Sequence, residues 1–256
     1  MVSWHGGNPR AADRFDSWEA RRTFRPSGAS VMNAAGLECT MSKHDDVMRG
    51  LGIHGQAVVA TIEIMIDLGK RDPDLETVSD RIGVPVADLN RIFPDDHSLL
   101  IAVAEQALVR LMDSCTKAIV KIDPDDAVAQ FLALGNAYIH WASDHRVQFQ
   151  LITSHPSLNA MQVPQLRRYL DSVVDLMTRM LERARDAGRL RENEDVAMIV
   201  LSARAFAYGL ARMVVDGRMN ELLPSRPPLE AADVAMADFV RRIARATTKR
   251  TSQYRH

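Results

Sequence analysis

The side chains with the clearest potential for recognition chemistry lie between Asp88 and Arg91. This short stretch offers a carboxylate, an amide and a guanidinium, groups that bond to the base edges and phosphates of DNA. They belong to the second of two short predicted helices, at about residues 75–82 and 85–93, which a Gly-Val pair joins. Two short helices joined by a tight turn place a helix end in the DNA major groove. The stretch therefore predicts a helix-turn-helix unit.

The residues around this unit contain the signals that begin and end helices. Apolar residues recur every three or four positions before Gly69, which can close the first helix. Asp74 can cap the next helix, and Pro85 suits the start of the one after it, where a missing N–H costs nothing. Phe93 precedes a proline, a position that disfavours the α conformation, so the third helix should end there.

The rest of the sequence is also helical in pattern. Breaks fall at proline and glycine positions, and no segment alternates between apolar and polar residues as a half-buried strand would. Longer helices are predicted at about residues 96–121, 125–144, 163–187, 193–217 and 229–248, with a shorter one near 146–154. The predicted fold class is all-α.

Composition excludes several classes of protein. Of the 256 residues, 46% are apolar and 25% are charged, which is ordinary for a soluble globular protein. The net charge of −1 gives the whole chain no general affinity for nucleic acids or membranes. Cys39 and Cys115 fit no metal-binding array, no apolar run approaches about 20 residues, and no catalytic motif is recognisable. We expect a cytoplasmic protein that is not an enzyme, spans no membrane and holds no metal or cofactor.

The two ends of the chain differ in composition from the rest. Residues 1–50 mix Gly, Pro, Ser and Arg without a sustained apolar period, so we expect a disordered leader. Met41 would be an ordinary start for the ordered domain; alternatively, the arginines within residues 21–25 would make a DNA-contacting arm. Residues 249–256 form a basic tail, which we expect to be solvated.

In their order and spacing, the segments after the leader resemble the tetracycline-repressor (TetR) family of bacterial transcriptional regulators. That family's first-helix pattern, R-x-x-I-L-x-A-A-x-x-L-F-x-x-x-G, corresponds to residues 54–69, and its A-G-V-S turn to residues 82–85. Its G-T-L-Y-x-H-F-P segment corresponds to residues 87–94, and the K-E-x-L-L that opens its fourth helix to residues 96–100.

The C-terminal half resembles a common ligand-binding domain of the same family. Residues 138–142 match its Y-x-x-F-A segment, and Phe149 begins the match to the Y-x-L-M that follows. Residues 187–191 match its A-G-R-L-R turn, and residues 204–210 stand where that subgroup has W-A-x-x-H-G-L. The resemblance thus extends in one consistent order from the predicted helix-turn-helix to the last long helices.

The resemblance implies a helix-turn-helix DNA-binding domain at residues 51–95 and a helical effector-binding and dimerisation domain at residues 96–248. It implies a repressor that binds double-stranded operator DNA as a homodimer, formed through the last two long helices, and that a small apolar effector releases. The implied DNA contacts are His54, Lys70, Asp74, Pro85, Val86, Asp88, Asn90, Arg91 and His97. The implied effector contacts are Tyr138, Trp141, His145, Phe149, Tyr169, Met177, Arg204 and Tyr208, and core packing is the alternative for most of them.

The charge of the DNA-binding domain conflicts with this resemblance. Residues 50–100 contain four Lys or Arg and nine Asp or Glu, a net charge of −5, whereas affinity for DNA comes largely from cations. Asp88 stands where the family pattern has Thr, and Asp96 stands where it has Lys. His54 and Asn90 likewise replace a basic residue and a Tyr. The alternative function is therefore a ligand-binding or heterodimerising helical protein that has lost DNA binding.

Overall fold

The computed structural model describes residues 51–69 and 72–245. Throughout these ranges the regular structure is α-helical, which confirms the predicted fold class. The helices of these ranges are α1 (Ile53–Asp67), α2 (Leu75–Ile82), α3 (Val86–Asn90), α4 (Asp96–Ile119), α5 (Ala127–Asp144), α6 (Arg146–Ser154), α7 (Pro164–Asp186), α8 (Val196–Val215), α9 (Arg218–Leu222) and α10 (Pro228–Arg245). The predictions about the leader, Lys70 and the basic tail fall outside the described residues.

Helices α1, α2 and α3 form the predicted helix-turn-helix unit. Four apolar side chains that the helical spacing places inward are buried in it: Leu75, Val78, Leu89 and Phe93. Gly83 joins α2 to α3 with a φ of 69°, in the left-handed region that glycine enters without strain. Leu89 is the buried residue of α3, so the rest of this helix remains largely accessible.

The observed helices differ from the predicted ones at three places. α3 ends at Asn90 rather than near Phe93, because Phe93 turns into the core (2% exposed) immediately before a proline. α8 begins slightly later than predicted, behind Asp195, whose side chain caps it. α9 was not predicted; it follows Gly217, whose φ of 77° interrupts the helical path after α8.

Helix α5 lies at the centre of the helical domain, where it packs against α4, α7, α8 and α10. Its approach to α10 is close at Gly135, where an added Cβ would lie 2.5 Å from Cε of Met236. The same two helices are joined by His140, whose Nε2 lies 2.9 Å from Oδ1 of Asp233. α10 is therefore fixed to the central helix by both packing and a polar contact.

Helix α8 is apolar on more than one face, and by length and composition alone it could cross a membrane. In this fold its row of Val200, Ala203 and Ala207 is buried. This row belongs to the core, so packing within one chain accounts for the apolar character of this face.

Candidate nucleic-acid interface and effector site

The predicted DNA-contacting side chains of α3 share one short surface around the buried Leu89. They are exposed or half-buried: Pro85, Val86, Asp88, Asn90 and Arg91. The second helix of a helix-turn-helix enters the major groove with side chains presented in this way. The structure thus brings five of the predicted DNA contacts together.

Three further predicted DNA contacts lie outside α2 and α3: His54, His97 and Lys70. His54 is exposed at the start of α1, and its ring centroid lies 5.1 Å from that of Phe93. His97 is exposed in the first turn of α4. Both are accessible to a ligand as large as DNA, whereas Lys70 lies outside the described residues.

The arginines of the helix-turn-helix unit form ion pairs with its own carboxylates. Nη1 of Arg91 lies 2.9 Å from Oδ1 of Asp88. Nη1 of Arg81 lies 3.3 Å from Oδ2 of Asp67 and 3.7 Å from Oε2 of Glu63. Within residues 51–69 and 72–100 these two arginines are the only Lys or Arg side chains, against nine carboxylates. Any contact of these arginines with DNA therefore competes with an internal carboxylate partner.

Two of those carboxylates bind the backbone at the N-terminus of α2. Oδ1 of Asp74 accepts a hydrogen bond from the N–H of Thr77 at 2.8 Å, which confirms the predicted cap. Oδ1 of Asp96 accepts from the N–H of Leu75, also at 2.8 Å. A helix leaves these N–H groups unpaired and has the positive end of its dipole there, so both carboxylates stabilise α2. Asp96 therefore has a structural role that its position in the sequence did not reveal.

The pair of Asp88 and Arg91, by contrast, had a signal in the sequence. The two residues are three positions apart in a predicted helix, the spacing at which an acid and a base meet on one face. The sequence reading treated each as a separate contact to DNA and did not pair them. The structure shows that in the unbound chain they contact each other.

Three helices of the C-terminal domain each contribute one ring to a cluster of predicted effector residues. Phe149 of α6 lies between Tyr138 of α5 and Tyr208 of α8, with ring centroids 6.1 Å from each. We call these three rings the aromatic group. Near the end of α5, Trp141 stacks on His145 with centroids 5.2 Å apart and 13° between the planes. The structure therefore gathers five of the eight predicted effector residues into ring contacts.

The polar atoms around the aromatic group lie in an apolar environment. Burial raises the pKa of the Tyr138 hydroxyl above its usual range; Tyr208 and Cys115 add to the rise, and Arg204 opposes it. Burial also raises the pKa of the Cys115 thiol to about 12. The phenol and the thiol are therefore neutral near pH 7. The indole N–H of Trp141, a residue only 2% exposed, has no acceptor within the described part of the chain.

The other predicted effector residues have different surroundings. Met177 of α7 is buried in the core, and the hydroxyl of Tyr169 on the same helix donates to Oε1 of Glu105 at 3.3 Å. Arg204 is exposed on α8. It needs no buried anion within the chain.

An open cleft of about 400 Å³, which the sequence did not indicate, lies where α6 meets α7. Its lining includes Ile152, His155, Leu158, Met161 and Leu170.

The side chain of His155 is 4% exposed, and its Nε2 lies 3.4 Å from Oδ1 of Asp72, between α1 and α2. This contact joins the helical domain to the helix-turn-helix unit. The sequence showed only a His-Pro helix break here.

Residues 131–247 match the family described as the C-terminal domain of tetracyclin repressor-like proteins. The match extends over most of the helical domain, including the three helices that supply the aromatic group. These residues therefore form a tetracyclin repressor-like C-terminal domain.

Several solved structures are similar to this chain. A protein of unknown function from Rhodococcus sp. RHA1 is 24% identical with a TM-score of 0.63, covering 76% of this chain and 96% of its own. The TetR-family regulator PfmR from Thermus thermophilus is 17% identical with a TM-score of 0.56, covering 73% and 97% respectively. The regulator FadR from Bacillus subtilis, solved in complex with stearoyl-CoA, is 11% identical with a TM-score of 0.58, covering 72% and 96%. At these identities the similarity shows a common fold. No curated protein sequence matched.

Proposed function

We propose that this protein is a TetR-family transcriptional repressor that binds operator DNA as a homodimer and is released by a small, largely apolar effector. The observation that carries the proposal is the accessible surface of α3. Leu89 seats this helix in the core, while the amide of Asn90 and the guanidinium of Arg91 face outward on exposed residues. These groups are suited to base edges and phosphates in a major groove.

A second apolar row on α8 supports the homodimer. Met198, Leu201 and Tyr208 repeat at helical spacing and are 54%, 57% and 39% exposed. On the neighbouring α10, Val234 is 46% exposed. Contiguous exposed apolar side chains are typical of protein interfaces, and a twofold pairing of α8 and α10 would cover this row with its own copy. A dimer would also present two helix-turn-helix units, which compensates for weak contacts in each.

The aromatic group and its surroundings support an apolar effector. Its rings come from three different helices, so a ligand placed among them would influence α5, α6 and α8 together. The unmatched indole N–H of Trp141 would be satisfied by an effector with one hydrogen-bond acceptor, because buried donors are almost always paired. The stearoyl-CoA of the Bacillus subtilis regulator combines a long apolar chain with carbonyl acceptors, and a ligand of that general character fits these requirements.

A gel-shift assay with the upstream region of the protein's own gene tests the proposal. We expect a shift at about 50 mM salt, where electrostatic binding is strongest, and loss of that shift at higher salt. An unrelated duplex of equal length serves as the control for sequence preference. Absence of any shift at low salt would contradict DNA binding.

The second candidate function is a ligand-binding or heterodimerising protein of the same fold that does not bind DNA. The observation in its favour is the pairing of Arg81 and Arg91 with carboxylates of their own unit. Under this alternative the gel shift fails while the apolar row on α8 still mediates association. Size-exclusion chromatography with light scattering would then show a dimer or a mixed complex, so the two measurements together separate the candidates.

A further inference from the structure

The contact between Asp88 and Arg91 lies on the helix that would enter the major groove. Its two atoms are 2.9 Å apart, and the two side chains are 38% and 79% exposed. Asp88 is in the first turn of α3 and Arg91 is its C-cap residue. Exposed ion pairs are weakened by water and salt, so the guanidinium of Arg91 can leave Asp88 for another acceptor.

A phosphate is a poor alternative acceptor for Arg91 at this position. If the guanidinium moved to a phosphate, the carboxylate of Asp88 would remain unpaired close to the DNA backbone, where like charges repel. Arg81 is held by Asp67 and Glu63, so within the described residues of the unit no further Lys or Arg is available to Asp88. Contact with the backbone alone therefore replaces one favourable pair with another and adds a repulsion.

A G·C base pair offers a partner to both side chains at once. In the major groove guanine presents the acceptors N7 and O6, which an Arg binds with two hydrogen bonds. Cytosine presents its N4 amino group, from which a carboxylate accepts. The guanine O6 and the cytosine N4 are neighbouring atoms of one base pair. Adjacent Asp88 and Arg91 side chains can therefore both be satisfied there after their mutual contact is broken.

We propose that Asp88 is a specificity-determining residue that restrains Arg91, weakening binding to DNA in general and favouring operators with a G·C pair beneath α3. The inference rests on the proposed function, because it concerns how the helix-turn-helix unit reads an operator. Asp88 then has two successive partners: the guanidinium of Arg91 in the absence of DNA and the N4 amino group of cytosine in the complex.

The experiment compares the full-length wild-type chain with Asp88→Asn. A duplex is selected by the wild type from a randomised pool at about 50 mM salt, where binding is strongest. Fluorescence anisotropy then measures affinity for that duplex, for versions in which each G·C pair in turn becomes A·T, and for an unrelated duplex, over a salt series. Asp80→Asn is the matched control, since it removes the same charge from an exposed residue of α2.

We expect Asp88→Asn to bind the unrelated duplex about tenfold more tightly than the wild type, because an anion has left the interface. The slope of log affinity against log salt should steepen by about one, as for one added phosphate contact. When one particular G·C pair is replaced by A·T, the affinity of the wild type should fall about tenfold or more. The affinity of Asp88→Asn should fall clearly less. Asp80→Asn should keep the wild-type discrimination. In a chain that also carries Arg91→Gln, Asp88→Asn should raise the affinity for DNA no more than Asp80→Asn does.

The outcomes separate the two proposals. Equal gains for Asp88→Asn and Asp80→Asn, with unchanged base discrimination in both, would overturn the inference and leave the proposed function standing. No binding of any duplex by the wild type or by Asp88→Asn at low salt would overturn the proposed function and the inference with it. Circular dichroism confirms that each variant is folded, which we expect because the substituted side chains lie at the surface.

Discussion

The helix-turn-helix unit and the helical domain differ in the number of bases available to their carboxylates. In the helical domain a carboxylate typically pairs with a base one turn away, as Asp216 does with Arg212 at 2.9 Å. Such pairs cancel charge along the helix and contribute a few tenths of a kcal/mol each. Residues 51–69 and 72–100, by contrast, contain two arginines for nine carboxylates, and there Asp74 and Asp96 bind backbone N–H groups of α2.

This difference explains how the unit can be well folded and strongly acidic at once. A carboxylate that caps a helix is stabilised by N–H groups and by the helix dipole, but its charge remains. The acidic surface of the unit is therefore partly a consequence of how α2 is held. Replacing Asp96 should cost stability, whereas replacing Asp88, which contacts only an exposed side chain, should change DNA binding and leave stability nearly unchanged.

The largest expected effect comes from removing the core of the helix-turn-helix unit. Leu89→Ala deletes a side chain with 0% exposure that alone seats α3, and such substitutions cost about 2–5 kcal/mol. We expect a lower midpoint in denaturant unfolding and loss of DNA binding. Leu222→Ala, at a side chain 65% exposed, is the control and should be nearly neutral. Equal effects of the two variants would mean that α3 is not held by this core.

The next prediction concerns alkaline pH and the helical domain. The folded-state pKa of Cys115 is raised from 9.0 to about 12 by burial, so above pH 9 the unfolded thiol ionises while the folded one stays neutral. The unfolded state then binds fewer protons. The free energy of unfolding should fall as pH rises from 9 toward 12, by up to about 1.4 kcal/mol per pH unit, with no contribution below pH 9.

Denaturant unfolding between pH 9 and 10 measures this slope, and comparison with a variant that lacks the thiol cancels the contribution of tyrosines, which begin to ionise in the same range. Cys115→Ala should have a shallower slope than the wild type, even if the variant is less stable at every pH. Cys39→Ser is introduced in both proteins so that only one thiol differs. Identical slopes would show that the Cys115 thiol is not protected by burial.

A third prediction tests the role of Asp96 at the N-terminus of α2. Asp96→Ala should lower the free energy of unfolding by about 1 kcal/mol, as loss of a helix cap does. Hydrogen exchange at the amide of Leu75 should accelerate, because its acceptor is gone. Asp113→Ala removes a carboxylate of the helical domain that pairs with Lys117 on the surface, and should cost less than half as much. A larger loss of unfolding free energy for Asp113→Ala than for Asp96→Ala would show that the contact with the backbone contributes less than a surface ion pair.

The smallest expected effect is a coupling across the two regions. Asp72 and His155 join the helix-turn-helix unit to the helical domain through atoms 3.4 Å apart. In a double-mutant cycle with Asp72→Asn and His155→Gln, we expect a coupling of about 0.5 kcal/mol in unfolding free energy. If the two substitutions change the unfolding free energy additively, the contact does not couple the two regions. Neither variant should then alter DNA binding.

Much of the fold could be predicted because its signals are local. The cap at Asp74 and the buried Leu89 and Phe93 followed from residue type and helical spacing. For the candidate site, the sequence predicted DNA contacts in and beside α3, which the structure leaves exposed or half-buried. It also predicted five effector residues whose rings the structure brings into two groups of contacts. Its error at the end of α3 arose because the packing of Phe93 overrode a pattern that allowed a longer helix.

By itself, the sequence determined the all-α class, the order of the helices and the helix-turn-helix, because apolar period, caps and helix breakers act within a few residues. Only the tertiary structure decided which face of α8 is buried and that Asp96 binds the backbone of α2. Asp96 reaches the N–H of Leu75 across 21 positions, and such contacts depend on how helices pack. The same packing left Asp88 with Arg91 as its partner and Asp96 with the backbone, so that two similar acids have different roles.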